Sequence, residues 1–218
     1  METVVKIYKE RGQTDYIGES ISQLEHALQA GCLAWRYVST CPEVPFQREA
    51  LVVAALLHDI GHLLTVEDFS EDPSIVFFRG DLLDDNERSL GRQGHEHLGF
   101  QFLKQLSFMF PIPELVRSHV DAKRYRVSVL PSYFDLLSEA SKKTLELQGG
   151  RMSLEEIERF ERDPLYLWKL RIREWDDQAK IPGLSYKKGR DIREERGGEE
   201  YYDLEAFIPL IEECIRKV

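Results

Sequence analysis

Apolar and polar residues follow each other along this chain with the spacing of helices. In most segments the apolar positions recur every three or four residues, and short stretches rich in proline, glycine or acidic residues separate the segments. This pattern is typical of amphipathic α-helices joined by loops, and no stretch has the strict alternation of a β-strand. We therefore predict an all-α protein of one domain, 1–218, with its core at about 16–182 and a charged tail with a C-terminal helix at 183–218.

Capping residues and prolines place the helix boundaries. Ser22 and Ser153 each precede a glutamate by three positions, which is the capping-box pattern that opens a helix. Pro113 and Pro164 suit the first turn of a helix. The predicted helices cover about 22–41, 46–64, 94–110, 113–124, 132–148, a segment from 153, 163–180 and 203–217. The acidic stretch 65–93 is predicted as a loop with at most one helical turn, and 184–200 as a loosely ordered segment.

The negative net charge of the chain makes nucleic acid an unfavourable partner. The chain has a formal net charge of −10 and a pI near 5.2. A protein that binds nucleic acid through its general field needs a basic face, so we expect no nucleic-acid partner. We expect no membrane span, because no apolar run is long enough, and no targeting segment, because Met1-Glu2-Thr3 opens a charged stretch. The three cysteines lack disulfide or metal spacing, which favours a cytoplasmic protein. A small anionic ligand in a pocket remains compatible with this charge.

The stretch LVVAALLHDIGHLL, residues 51–64, sets His58, Asp59 and His62 inside an apolar run. A buried carboxylate is costly unless it is paired or bound to a metal. Imidazole and carboxylate are ligands for zinc, iron and manganese. Neighbouring residues on a helix diverge by about 100°, so His58 can face one metal while Asp59 reaches a second. The stretch therefore predicts a dinuclear site with metals roughly 3.5–4 Å apart.

Helical phase selects among the remaining histidines. His95 is in register with the apolar stripe through Leu98 and Phe102, whereas His97 points away from it. His95 is therefore the better candidate ligand, and His97 is interpreted as a surface or supporting residue. His26 and His119 also lie on predicted helices, although a lone buried histidine is more often a hydrogen-bonded core residue.

The same argument separates two adjacent aspartates near the end of the 163–180 helix. Asp176 follows Ile172 by four positions and lies close to the apolar stripe, so it is the candidate ligand. Asp177 follows Trp168 by nine positions and falls on the far side of the helix. Taken without its neighbours, this acidic pair is typical of a solvated helix end.

The order His26, His58-Asp59, Asp176 resembles the signature of the HD-domain superfamily, whose members are all-α metal proteins. Five segments carry a closer resemblance: YIGESISQLEHALQAG, LLHDIGH, GHEHLGFQFL, SHVDAKRY and LRIREWDDQAK. Together they resemble the mixed-valent diiron oxygenases that cleave the carbon–phosphorus bond of 1-hydroxy-2-aminoethylphosphonates. The resemblance to myo-inositol oxygenase is more distant. The resemblance implies a single HD-domain helical bundle around a dinuclear metal site.

The resemblance also implies a cofactor and a reaction. The cofactor is a pair of iron ions, Fe(II)/Fe(III), with dioxygen as co-substrate, and the substrate is a small organophosphonate. The products are phosphate and glycine, N-methylglycine or glycine betaine, depending on methylation of the amine. The implied metal ligands are His26, His58, Asp59, His95, His119 and Asp176.

Substrate contacts carry over from the same resemblance. Tyr16 is implied to cap one iron until substrate arrives, and Glu19 to hold the substrate ammonium. The implied phosphonate contacts are His62, Lys123, Ser141, Thr144 and Arg173. Cations and hydroxyls suit the three oxygens of a phosphonate. Without the metal ligands beside them, the two cations would be interpreted as surface residues and the two hydroxyls as ordinary polar positions.

Several alternatives stay open at the level of sequence. A dinuclear HD phosphohydrolase acting on a phosphate ester or nucleotide would use the same ligands. A degenerate regulatory domain is less consistent with the sequence, because no ligand is lost. A methylated ammonium also requires aromatic faces, for which Tyr16, Tyr125 and Tyr133 are candidates. The 65–93 loop and the tail are expected either to close over the pocket or to build a homo-oligomer contact.

Overall fold

The computed structural model describes residues 2–16, 18–41, 43–69, 81–83, 89–194 and 198–216. Ten α-helices lie within these ranges: α1 Glu2–Arg11, α2 Gln23–Thr40, α3 Arg48–Leu57, α4 His95–Gln105, α5 Ile112–Val129, α6 Tyr133–Leu136, α7 Glu139–Leu147, α8 Leu154–Glu161, α9 Tyr166–Gln178 and α10 Ile208–Glu213. The strands of the same ranges form an antiparallel and a parallel pair: β1 Asp81–Leu83 with β2 Ser89–Arg92, and β3 Tyr186–Lys187 with β4 Tyr201–Tyr202. The predicted all-α class is confirmed, and the short strands decorate a helical core.

Both predicted capping boxes are present. The Ser22 hydroxyl accepts from the Glu25 amide and the Glu25 carboxylate accepts from the Ser22 amide, which satisfies two amides at the start of α2. Ser153 makes the same pair of bonds at the start of α8. Gly149 follows α7 with a φ of +101°, a backbone conformation that favours glycine. Local chemistry therefore fixes these helix ends.

Helix α1 was not predicted. Its residues Val4, Ile7 and Tyr8 are buried, and the Tyr8 hydroxyl donates to the Leu56 carbonyl at 2.8 Å. The helical spacing is present in the sequence, but charged neighbours give this stretch a low mean hydropathy. The core consequently begins before residue 16, where the sequence placed its start.

Helix α3 ends at Leu57, so the prediction of one helix through residue 64 is wrong over its last two turns. The chain leaves the helix at Asp59 and forms a 3₁₀ turn at Ile60–His62. In this turn Gly61 lies close to the start of α4. A Cβ on Gly61 would lie 1.9 Å from the His95 carbonyl oxygen, so only glycine fits. Asp59 is therefore held by a turn rather than by a helix.

Three other predicted helices differ from the structure. The segment 132–148 forms α6 and α7 rather than one helix, because Ser138 caps a new helix by accepting from the Ser141 amide. Helix α5 continues past 124 to Val129, whereas α4 stops at Gln105, well before 110.

The tail is more ordered than predicted. Ile192 is fully buried, and Tyr202 and Phe207 also belong to the main core. The C-terminal segment starts as a 3₁₀ turn and continues as α10, with Pro209 in its first turn as the sequence indicated. The core therefore extends beyond 182. The predicted end of this helix at 217 lies outside the described residues.

Helices α2, α3, α4, α5 and α9 pack against one another and enclose the interior of the bundle. Helix α7 and the β1–β2 hairpin lie in contact at one end of this group, so the predicted loop 65–93 contributes a hairpin and a 3₁₀ turn at Val66–Asp68. Residues 70–80 and 84–88 of that loop lie outside the described part. Among the described helices none is both long and apolar enough to cross a membrane.

Candidate metal centre

Six buried side chains meet inside the helical bundle, and they are the six predicted ligands. They form two groups that could each hold a metal ion: His26, His58 and Asp176, and Asp59, His95 and His119. No member exposes more than 7% of its surface. The six residues lie on α2, α4, α5 and α9 and at the end of α3, so the fold brings together residues that are far apart in sequence.

The first group lies between α2, α3 and α9. The Nε2 atoms of His26 and His58 are 3.0 Å apart. Asp176 Oδ1 lies 3.6 Å from the first of these nitrogens and 3.9 Å from the second. A single cation placed among these three atoms would contact all of them.

The second group lies between the turn after α3 and helices α4 and α5. The Nε2 atoms of His95 and His119 are 2.9 Å apart, and Asp59 Oδ1 lies 3.4 Å and 3.2 Å from them. The other oxygen of Asp59, Oδ2, lies 3.5 Å from Nε2 of both His26 and His58. One carboxylate therefore presents one oxygen to each group, which is the geometry of a bridging ligand.

Each of these histidines is oriented by a hydrogen bond from its other ring nitrogen. Nδ1 of His58 and of His119 lies 2.7 Å from the carbonyl oxygen three residues earlier, and His95 makes the same contact at 3.2 Å. Nδ1 of His26 lies 2.8 Å from the Ala179 carbonyl. A carbonyl only accepts, so the four Nδ1 atoms carry the hydrogen and the four Nε2 lone pairs point into the centre.

This donor set fits a pair of transition-metal ions. Two Nε2 lone pairs that face each other at about 3 Å repel unless a cation lies between them. Burial and the neighbouring His58 lower the pKa of His26 to about 4, so its ring is neutral near pH 7. Burial raises the pKa of Asp59, but His58, His119 and His95 outweigh it and hold the pKa well below the ordinary value. Imidazole nitrogens around an ionised carboxylate are the ligands that iron, manganese and zinc share.

Tyr16 lies against the first group. Its ring stacks on His26 with centroids 3.9 Å apart, and its hydroxyl donates to Asp176 Oδ1 at 3.4 Å. Burial and the charge of Asp176 raise the pKa of Tyr16 well above its ordinary value, so the phenol stays protonated. Glu19 lies nearby, and its buried Oε1 has no hydrogen-bond partner. Lys180 Nζ is 3.9 Å from that oxygen, within ion-pair range but beyond hydrogen-bond distance.

A pocket opens over both metal groups. Its lining includes all the predicted substrate contacts: Tyr16, Glu19, His62, Lys123, Ser141, Thr144 and Arg173. Lys123 is only 3% exposed and donates to Thr144 Oγ1 at 3.0 Å and to the Ser141 carbonyl at 3.4 Å. Burial and the charge of Arg173 lower the pKa of Lys123 to about 7. Within the described residues Lys123 has no carboxylate partner, so its amine is available to an anionic ligand, which would favour the protonated form.

Arg173 is tied to the protein on several sides. Its Nη1 donates to Asp176 Oδ2 at 2.7 Å, its Nε donates to the Tyr133 hydroxyl at 2.9 Å, and its Nη2 donates to Asp177. A guanidinium has five N–H donors, so part of the fork is left for a ligand. The sequence pattern taken alone suggested that Asp177 belongs to a solvated helix end. The structure shows instead that it is bound by Arg173.

His62 differs from the four candidate ligands in its tautomer. Its Nδ1 accepts the Arg92 amide hydrogen at 3.2 Å, so Nε2 is the nitrogen that carries a hydrogen. The ring stacks on His95 with centroids 3.9 Å apart. Nε2 therefore offers an N–H rather than a lone pair, and the role of His62 as a substrate contact stays a prediction. His97 stacks on Phe100 and belongs to neither metal group.

The pocket contains residues that the sequence did not indicate. Arg92, Gln148 and Lys180 also line it. Lys180 follows Asp176 by four residues, a spacing that places both on one face and was available as a signal. Arg92 comes from the β1–β2 hairpin, whose approach to the site has no signature in the sequence.

Metal binding is expected to stabilise the protein, because it removes the repulsion between facing Nε2 lone pairs. Added Mn²⁺ or anaerobic Fe²⁺ should raise the melting temperature of chelator-treated protein, and Mg²⁺, which prefers oxygen ligands, should not. At a free metal concentration 100 times the Kd the expected gain is about 2.7 kcal/mol. Thermal melts with each metal test this, and a response equal to that of Mg²⁺ would contradict the assignment.

Comparison with known proteins adds the family context. The model of the HD-domain family matches residues 24–159. The chain is 38% identical over 182 residues to hydroxymethylphosphonate dioxygenase of Gimesia maris, covering 84% of this chain and 79% of that protein. It is 37% identical over 180 residues to the glycine-betaine-forming 1-hydroxy-2-(trimethylamino)ethylphosphonate dioxygenase of Leisingera caerulea, covering 83% and 80%. An uncharacterized protein of Acanthamoeba polyphaga mimivirus is 36% identical over 187 residues, covering 86% and 75%.

Proposed function

Because the chain belongs to the HD-domain family and is similar over most of its length to two phosphonate dioxygenases, we propose that it is an iron-dependent dioxygenase. The proposed reaction cleaves the carbon–phosphorus bond of a 1-hydroxyphosphonate. One dioxygen converts R–CH(OH)–PO₃H₂ into R–COOH and H₃PO₄. The C–H and C–P bonds supply the four electrons that reduce dioxygen, so no further reductant is consumed.

The observation that carries this proposal is the double role of Asp59. One oxygen faces His26 and His58 and the other faces His95 and His119, which favours two metals held together beneath the pocket. Two iron ions, when bound there, supply Lewis acidity and the redox chemistry for dioxygen. The protein contributes orientation and charge around them.

The remaining lining residues are proposed to hold the phosphonate. Lys123 offers a buried ammonium without a carboxylate partner, and His62 offers Nε2–H. The Thr144 hydroxyl, already bound to Lys123, extends this set of donors. Charge-assisted donors of this kind suit the three phosphonate oxygens and fix the C–P bond relative to the metals. The Tyr16 phenol, whose hydroxyl lies 3.4 Å from Asp176 Oδ1, is proposed to move aside when substrate binds.

The other end of the substrate is proposed to be an amine beside Glu19, as in 1-hydroxy-2-aminoethylphosphonate. The Glu19 Oε1 atom is buried without a hydrogen-bond partner, and such an atom is costly until a donor reaches it. An ammonium that keeps N–H groups supplies that donor. A trimethylammonium has no N–H and leaves the oxygen unsatisfied.

The tyrosine faces support the same preference. A quaternary ammonium is usually recognised by open aromatic faces. Each of the three candidate tyrosines already has a stacking or cation–π partner. The partners are His26 and Lys180 for Tyr16, Arg126 for Tyr133, and Phe160 for Tyr125. We therefore propose a primary or singly methylated amine, which gives glycine or N-methylglycine, over the trimethylated substrate that gives glycine betaine.

Oxygen uptake distinguishes this function from hydrolysis. Iron-loaded protein mixed with 1-hydroxy-2-aminoethylphosphonate is expected to consume one dioxygen for each phosphate and each glycine released. Phosphate release from a nucleotide or phosphate ester without oxygen uptake would instead support the phosphohydrolase, which would use the same ligands.

Replacing Glu19 by Gln tests the amine proposal. The charge-assisted bond is worth roughly 1.5–3 kcal/mol, so kcat/KM for 1-hydroxy-2-aminoethylphosphonate should fall about 10- to 100-fold. The kcat/KM for hydroxymethylphosphonate, which has no amine, should change little. Asp15→Asn removes an exposed charge from the same segment and serves as the control. Equal losses with both substrates would mean that Glu19 acts through Lys180 rather than on the amine.

A further inference from the structure

Asp177 lies on the outer side of the metal ligand Asp176 and is bound by three residues. The Tyr133 hydroxyl donates to its Oδ2, Arg173 Nη2 donates to its Oδ1, and Arg126 Nη1 lies 3.5 Å from Oδ2. Its side chain is 24% exposed, whereas those of Arg173 and Asp176 are each 4% exposed. Asp177 therefore joins the surface of α9 to the buried centre.

The buried guanidinium of Arg173 lies between two carboxylates. Asp176 Oδ2 accepts from its Nη1 at 2.7 Å, and Asp177 Oδ1 accepts from its Nη2. The other oxygen of Asp176 faces the Nε2 atoms of His26 and His58. Asp176 and Asp177 therefore share the positive charge of Arg173, and only one oxygen of Asp176, Oδ2, binds the guanidinium.

We infer that Asp177 and Tyr133 are positioning residues that hold Arg173, and through it hold Asp176 as a ligand of the first metal group. Tyr133 accepts from Arg173 Nε at 2.9 Å and donates to Asp177, so it closes a ring of hydrogen bonds around the guanidinium. Without Asp177, Asp176 alone would balance the buried cation and would bind a metal less strongly. Partners of a ligand in this position typically contribute 10- to 100-fold to metal affinity.

The effect should be confined to one of the two metals. The carboxylate of the second group, Asp59, has no hydrogen bond or ion pair with Arg173 in the described part of the chain. Loss of Asp177 should therefore weaken the group formed by His26, His58 and Asp176 and spare the group formed by Asp59, His95 and His119. The inference rests on the proposed metal centre but not on the proposed substrate.

Titration of chelator-treated protein with Mn²⁺, followed by electron paramagnetic resonance, tests this. Wild type is expected to bind two ions. Asp177→Asn should bind one with wild-type affinity and the other about 10- to 100-fold more weakly. Tyr133→Phe should shift the same site by a smaller factor, and Asp177→Glu should restore part of the loss. Glu174→Gln is the matched control, because Glu174 lies on the same helix and pairs with Arg171 instead.

The outcomes separate the inference from the proposed function. An Asp177→Asn protein that binds both ions with wild-type affinity overturns the inference. The inference is also overturned if Asp177→Asn loses metal affinity equally at both sites and melts at a lower temperature, because that pattern indicates general destabilisation. A wild-type protein that binds two ions but consumes no oxygen with any hydroxyphosphonate contradicts the proposed function. The inference about Asp177 is still decided in that case, because it depends only on the metal affinities of wild type and Asp177→Asn.

Discussion

Replacing Asp59 by Asn is expected to abolish the dinuclear centre. The amide keeps the shape of the side chain but removes the negative charge that lies within 3.5 Å of all four Nε2 atoms. An Asn side chain also offers only one oxygen, so it cannot join both groups. We expect fewer than two metals per chain and turnover at least about 100-fold below wild type. Metal analysis and oxygen uptake on the same preparation check both.

The control for this variant is Asp121→Asn. Asp121 is an aspartate of α5 with a side chain 53% exposed, and it pairs with Arg124 rather than with a candidate ligand. It should keep two metals and full turnover. An Asp59→Asn protein that kept two metals and normal turnover would refute the bridging assignment.

The second large effect is expected at Lys123. Changing it to Met should lower kcat/KM for a hydroxyphosphonate by about 10²- to 10³-fold, since a charge-assisted bond to a buried anion is worth several kcal/mol. The same change should raise the melting temperature of the empty protein, because the ammonium is buried without a carboxylate partner among the described residues. A Lys123→Met protein that loses activity but melts at a higher temperature would show that Lys123 serves substrate binding rather than stability. A variant that loses both would instead indicate a structural role.

The pH dependence of substrate binding provides a separate test of Lys123. Its pKa in the free protein is lowered to about 7 by burial and by Arg173. A bound phosphonate favours the protonated amine, so binding takes up a proton when the pH exceeds this pKa. We expect KM to rise by up to about tenfold per pH unit above pH 7. Lys123→Arg should flatten this rise because a guanidinium stays charged. An unchanged profile in Lys123→Arg would assign the titration to another group.

Two of the candidate ligands, His95 and Asp176, could be chosen from the sequence because each lies in register with an apolar stripe. That rule preferred His95 over His97 and Asp176 over Asp177, and the structure brings the preferred residues together. It works because a ligand of a buried centre must lie on the buried face of its helix. The roles of these residues in binding and turnover stay predictions until the experiments above are done.

What the sequence could not supply depends on contacts between distant elements. The partners of Asp177 come from α5, α6 and α9, and helical phase describes only α9. Gly61 lies against the His95 carbonyl just after the early end of α3, and no local pattern in the sequence predicts that contact. Helix α1 was missed because its apolar positions alternate with charges, and burial of Tyr8 against Leu56 stabilises it.

The contact between Gly61 and the His95 carbonyl has a consequence for how the centre fills. It joins the turn after Asp59 to the start of α4 through main-chain atoms, with no side chain between them. The spacing of His58, Asp59 and His95 is therefore set before any metal arrives. Capture of the ions requires little rearrangement, so their uptake should be limited by diffusion and loss of hydration water rather than by a slow folding step.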